Sequence, residues 1–100
     1  MKLHIDTSNS ERVIVQVDGR KFTTRARKEK SQELLSFIDK VLRQNRQGIK
    51  DVTEIRVNRG PGSFTGLRVG ISVANSLGWT LGILVNGKDI RKKGPVEPLY

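Results

Sequence analysis

Cysteine is absent from this 100-residue chain. That excludes a disulfide framework, a thiolate metal site and a cysteine nucleophile, and it fits a reducing compartment, with the cytoplasm expected. Histidine occurs once, at His4, which leaves nucleophilic catalysis without a catalytic pair and metal ligation without a ligand set. Aromatic residues make up 5% of the chain. No apolar run approaches the ~18 residues that a membrane span requires. The opening MKLHID places an acid at Asp6 where a secretory segment would be apolar. The length itself allows one domain and disfavours enzymes with two-lobed sites.

What the chain does have is positive charge: nineteen Lys and Arg against ten Asp and Glu, a net +9. The surplus is uneven. Arg20, Lys21, Arg25, Arg27, Lys28 and Lys30 crowd one stretch, and Lys88, Arg91, Lys92 and Lys93 form a second cluster. Such clusters suit nucleic acid or an acidic partner, or serve as a solvated loop and tail. Only Phe22 lies within the first cluster, which argues against a stacking platform for single strands.

Hydrophobic periodicity orders the elements. KLHID alternates as a half-buried strand, and Val13, Ile14, Val15 and Val17 make a β-branched second strand. Asp18-Gly19 is a two-residue hairpin signal, so a third strand starts near Arg20. Ser31 is placed to cap a helix, with Glu33 near its N-terminal dipole. Leu34, Leu35, Phe37, Ile38, Val41 and Leu42 span an arc of roughly 160°, wider than the ~100° that one sheet contact needs, which suggests a second contact surface or deeper burial. EIRVN is a short strand and GPGS a sharp turn. A second helix runs from about Phe64 to Leu81, with Gly82 at its C′ position. Ile83 to Asn86 form a last strand, and residues 88–100 read as a basic polar tail after a domain at 1–87. The order β-β-β-α-β-α-β predicts a single α/β half domain of ribonuclease-H-like type, the actin, Hsp70 and sugar-kinase group, with a mixed five-stranded sheet of order 3-2-1-4-5.

The most informative stretch is GPGSFTGLR, Gly60 to Arg68, followed by Gly70. It closely resembles the signature of the TsaB (YeaZ) family. KLHIDTS, KSQELLSFIDKVL and KDVTEIRVN resemble, in order, that family's first strand, first helix and approach to the fourth strand, so the resemblance runs from Lys2 to Gly87. It implies a non-catalytic accessory subunit, without metal or cofactor. Such a subunit binds TsaD, the enzyme that transfers a threonylcarbamoyl group to the adenosine beside the tRNA anticodon. TsaE is implied as a further partner. The family uses its two helices, here 31–45 and 64–81, to bind TsaD or a second copy of itself in a four-helix bundle. The matching partner-binding positions are Leu34, Leu35, Ile38, Phe64, Gly66, Arg68, Gly70, Ala74 and Gly78. Two departures stand out. Lys30-Ser31-Gln32-Glu33 replaces the family's His-Ser-Glu-Arg, and the second domain of that family is missing. GPVEPLY at 94–100 nevertheless resembles the family's C-terminal ending, so a middle deletion is expected.

The residues themselves carry a parallel reading. Gly66, Gly70, Ala74 and Gly78 recur every four residues, so a neighbouring backbone can come close, either a partner helix or this chain's own sheet and first helix. Gly60 and Gly62 read as turn geometry, Ser63 as the helix cap and Phe64 as a core or staple residue. Helix N-terminal amides can bind phosphate, but the loop lacks a P-loop lysine. Arg68 faces either a partner acid or solvent. Asp6 orders the turn through Thr7 and Ser8. A nuclease needs several carboxylates around two metal ions; Asp6, Glu33 and Asp89 cannot supply them when Asn58 stands on the fourth strand. Arg25, Arg27, Lys28, Lys92 and Lys93 are the candidate tRNA contacts.

Overall fold

The computed structural model describes residues 1–25 and 31–99. Leu3 and Ile5 alternate with polar neighbours along β1 (Lys2–Asp6), and Val13, Val15 and Val17 share one side of β2 (Arg12–Val17), with Ile14 and Gln16 on the other. Asp18 at φ 48° and Gly19 at φ 85° turn the chain into β3 (Arg20–Arg25). Two consecutive positive φ values give a turn whose twist matches that of the paired strands. The Asp18 carboxylate accepts the Lys2 amide at 3.1 Å, tying the turn to the start of β1.

Next come α1 (Ser31–Gln44), a 3-10 turn (Ile49–Asp51), β4 (Glu54–Val57), α2 (Phe64–Leu81), β5 (Leu84–Val85) and a four-residue α3 (Ile90–Lys93). The sheet order is β3-β2-β1-β4-β5, antiparallel through β1, β2 and β3 and parallel from β1 to β4 and β5. This is the mixed five-stranded sheet that the element order predicts. The last strand is shorter than expected, because Asn86 (φ 52°) and Gly87 (φ 76°) already turn the chain back. No helix among the described residues is long and apolar enough to cross a membrane.

Both long helices lie on one side of the sheet. α1 packs over β2 and against α2, and α2 covers β1, β4 and β5. Leu3, Ile5, Val15, Val17, Ile55, Val57 and Val85 point toward them and are buried. From α1 the core takes Leu34, Ile38, Val41 and Leu42, and from α2 Leu67, Ile71, Val73 and Ala74. The wide apolar arc of α1 is therefore buried only at its centre. Its flanks differ: Leu35 is 40% exposed and Phe37 half-buried.

α2 begins at Ser63, whose hydroxyl accepts the Gly66 amide at 3.3 Å, and ends at Gly82, left-handed at φ 66°. Its small-residue stripe faces inward. A Cβ on Gly66 would strike the carbonyl oxygen of Thr7, one on Gly70 the Thr7 hydroxyl, and one on Gly78 the side chain of Val85. The close approach is used by this chain's own β1 and β5. Of the two uses open to the stripe, the structure shows Gly66, Gly70, Ala74 and Gly78 packed within this chain, and it buries Leu34 and Ile38 in the same core. Phe64 corrects an expectation in the other direction: it is 56% exposed rather than a core residue.

The stretch from residue 88 is not a solvated tail. Asp89 caps α3 by accepting the Arg91 amide at 3.1 Å, and Ile90 and Val96 are buried. Asn75 of α2 clamps the backbone of Val96 from both sides, donating to its carbonyl at 2.9 Å and accepting its amide at 3.0 Å. Arg91 donates to the carbonyls of Trp79 and Thr80, and its guanidinium lies 6.0 Å from the Trp79 ring centroid. α2 carries no basic residue in its own last turn, so α3 supplies the positive charge that a helix C-terminus favours.

Gly66→Ala sets a gain in helix propensity of about 1 kcal/mol against an overpacking cost of about 1–3 kcal/mol. The obstacle is backbone, which cannot rotate away. Urea unfolding is expected to show a net loss toward the upper end of that difference, about 2 kcal/mol, with Ser72→Ala and Ser76→Ala on the outer side within about 0.5 kcal/mol of wild type.

Candidate functional site

The GPGS turn is locked to the end of β1 by a small polar network. One oxygen of Asp6 accepts the Ser8 amide at 2.9 Å, the Ser8 hydroxyl at 2.6 Å and the Asn58 side chain at 3.2 Å. Asn58 in turn accepts the Gly60 amide at 2.9 Å, and Ser63 donates its amide to the Ser8 carbonyl at 2.7 Å. Gly60 at φ 122° passes directly beneath the Leu99 carbonyl, and Gly62 lies against the backbone of Ser8. Gly60 needs glycine for both the conformation and the approach, and Gly62 for the approach alone. Asp6 thus orders its turn through Ser8 as expected. Thr7 has a different role: buried, it donates to the Gly66 carbonyl at 2.6 Å.

Burial pushes the Asp6 carboxyl up, but the Ser8 hydroxyl, the Ser8 amide, Asn58 and the charge of His4 together outweigh it and hold the group below its ordinary value. Hydrogen bonds donated to the ionised form act in that direction. Where a metal-dependent nuclease would need a second carboxylate, Asn58 donates to the first. Among the described residues no three His, Asp or Glu side chains gather as a metal-binding group.

The outer surface of the helical layer presents a different set. Leu35 and Phe64 are exposed, and the Arg68 guanidinium lies 5.6 Å from the Phe64 ring centroid. Thr65, Arg68, Ser72 and Ser76 form the outward stripe of α2, all exposed. Between the N-terminal ends of the helices and the edge of the sheet runs a groove of about 480 Å³, lined in part by Val13, Leu34, Phe37 and Val69. The structure brings Leu35, Phe64 and Arg68 to this surface, places Leu34 and Gly66 in the wall of the groove, and leaves Ile38, Gly70, Ala74 and Gly78 beneath it. Phe37, from the wide apolar arc of α1, and Val69 line the groove beside it, and Ser72 and Ser76 are exposed on the outward stripe of α2 although the partner positions expected from the sequence do not include them. A second four-residue spacing, Ser72 to Ser76, was the available signal for them.

The candidate RNA contacts divide in the same way. Arg25, Lys92 and Lys93 are exposed, whereas Arg27 and Lys28 lie outside the described residues, as does Tyr100. Lys88 and Arg91 of the second cluster are used internally, Lys88 by donating to the Pro95 carbonyl at 3.0 Å.

A family model described as "TsaD: tRNA N6-adenosine threonylcarbamoyltransferase" matches residues 10–87. Curated relatives carry the name tRNA threonylcarbamoyladenosine biosynthesis protein TsaB. The one from Buchnera aphidicola subsp. Schizaphis graminum is 38% identical over 61 residues, 61% of this chain and 29% of its own. The one from Bacillus subtilis is 31% identical over 65 residues, 65% of this chain and 28% of its own. Among solved structures, YeaZ from Pseudomonas aeruginosa superposes with a TM-score of 0.70 at 30% identity, over 84% of this chain and 41% of that one. The matched region is thus under a third of the curated relatives' length and under half of the solved chain.

The lowered Asp6 value has a definite consequence for stability. A folded-state value below the unfolded one contributes stability above about pH 3.9, which is lost as pH falls through the folded value. Asp6→Asn is expected to remove that part of the pH dependence. Urea midpoints at pH 7 and pH 3 would differ less in the variant than in wild type, and the variant would be weaker at pH 7.

Proposed function

We propose that this chain, a member of the TsaB (YeaZ) family, has a role in tRNA threonylcarbamoyladenosine biosynthesis as a non-catalytic subunit that binds TsaD through the outer face of α1 and α2. The observation that carries this reading is the composition of that face. Leu35 and Phe64 are large apolar groups left exposed on helices whose cores are otherwise well filled. Ser72 and Ser76 keep the surface between them low, so an approaching helix can pack closely against α2. Arg68 stands beside Phe64, where a partner carboxylate would find a cation already held in place.

The docking face differs from the one that the glycine stripe suggests. Both lie on α2, but on opposite sides of it. The glycine side sets how deeply the helix sits on its own sheet, and the serine side sets how closely another helix approaches. A homodimer through the same surface is the competing state of this reading, because two copies present the same apolar groups to each other. TsaE binding and threonylcarbamoyl transfer by the assembled complex belong to the same proposal.

Co-expression with the TsaD of the same organism, followed by size-exclusion chromatography with mass measurement, tests it. Wild type is expected to elute as a mixed complex. Leu35→Asp and Ser76→Trp should each reduce recovery of that complex at least about tenfold, the scale of losing one anchor contact, with unchanged circular dichroism. Elution of wild type free of TsaD, or undiminished complex with both variants, would overturn the reading.

A further inference from the structure

With both long helices on one side, the other face of the sheet is lined by residues that are exposed or half-buried: Lys2, His4 and Asp6 on β1, Arg12, Ile14 and Gln16 on β2, Lys21, Thr23 and Arg25 on β3, and Glu54 and Arg56 on β4. Register turns this set into rows. Lys21, Gln16, His4 and Arg56 are successive partners across four strands, and Arg12 stands directly opposite Arg25. The two acids of the face are occupied. Glu54 lies 2.9 Å from Arg56 and 3.9 Å from Lys2, and Asp6 is held by Ser8 and Asn58. Arg12, Lys21 and Arg25 pair with no acid among the described residues.

Like charges directly opposite each other across a strand pair destabilise a sheet. A polyanion laid over Arg12 and Arg25 offsets that cost. The cations are too dispersed for a single phosphate group. At about 4.8 Å between strands and 3.3 Å per residue, Lys21 lies about 13 Å along β3 from the Arg12–Arg25 pair, which suits successive phosphates of one backbone. Phe22 points to the helix side with its partner Val15, so the face offers no Phe, Tyr or Trp for stacking an unpaired base, and its one ring is the half-buried imidazole of His4. Ile14 is the one apolar side chain among those rows, too little for the desolvated centre of a protein interface. We propose that this open sheet face binds the phosphate backbone of a folded RNA, which is tRNA on the reading given above.

Fluorescence anisotropy with labelled bulk tRNA over a range of KCl concentrations tests this on the intact chain. The Arg12→Gln/Lys21→Gln/Arg25→Gln variant is expected to bind at least about tenfold more weakly at low salt. Its slope of log K against log salt should be shallower by about one per cation removed. Its melting temperature should not fall, because the Arg12–Arg25 repulsion is gone. Should the triple variant fail to fold, Lys21→Gln alone carries the test, with a slope change of about one. Leu35→Asp should leave tRNA binding intact, and the triple variant should still bind TsaD, so each reading fails separately. Unchanged affinity and slope would overturn the proposal. So would an equal loss on Lys92→Gln/Lys93→Gln, or equally tight, equally variant-sensitive binding of polyglutamate, which would mark the face as a site for an acidic protein.

Discussion

The contact between Thr7 and the first turns of α2 fixes most of what this molecule presents to its surroundings. Thr7 is the one buried polar residue among those described, and its hydroxyl donates to the Gly66 carbonyl. An unpaired hydroxyl at that depth would be costly, so the bond must form whenever the helix docks. It forms because Gly66 and Gly70 carry no side chain where Thr7 lies. Once that side of α2 is committed to β1, its rotation about its own axis is set. Arg68, Ser72 and Ser76 then point outward as a consequence.

The same lock explains why so much of the charge is unavailable to a partner. Residues 88–99 close over the C-terminal end of α2 and the GPGS turn, and several cations hold them there. Arg91 satisfies the last carbonyls of α2, Lys88 reaches Pro95, and Arg59 donates to the Glu97 carbonyl at 2.7 Å. A net +9 read as one basic surface would mix these structural cations with those left on the surface. Exposed cations remain on α3 and on the open face of the sheet, and also on the helices at Lys40 and Arg68. On that face, strand register rather than sequence proximity makes neighbours of Arg12 and Arg25.

Two opposed faces thus carry distinct chemistry. The helical side offers apolar groups separated by small polar ones, suited to another helix. The sheet side offers dispersed cations with little apolar area. The sheet between them is only one layer thick, yet the faces are independent because successive strand residues point to opposite sides. A change on one face leaves the packing of the other untouched.

Much of the fold was legible in the sequence. The hairpin at Asp18-Gly19, the Ser63 cap, the Gly82 stop and the strand order all follow from local chemistry: positive φ, an orphan helix amide, alternating burial. The positive φ at Gly60 belongs with these, whereas Gly62 is required by the backbone of the distant Ser8. The use of the small-residue stripe was not. Spacing of four places Gly66, Gly70, Ala74 and Gly78 on one side of a helix, but the same spacing serves a partner helix or the chain's own sheet. The choice depended on where Thr7 and Val85 arrive, residues far away along the chain. Likewise the sequence showed basic clusters at 20–30 and 88–93, whereas pairing of strands decided which cations face one another and docking of the last residues decided which are consumed. By itself the sequence determined the elements and the family, because those rest on interactions within a few residues. Tertiary structure alone decided which face of each element is left for a partner, because that depends on contacts between residues that only folding brings together.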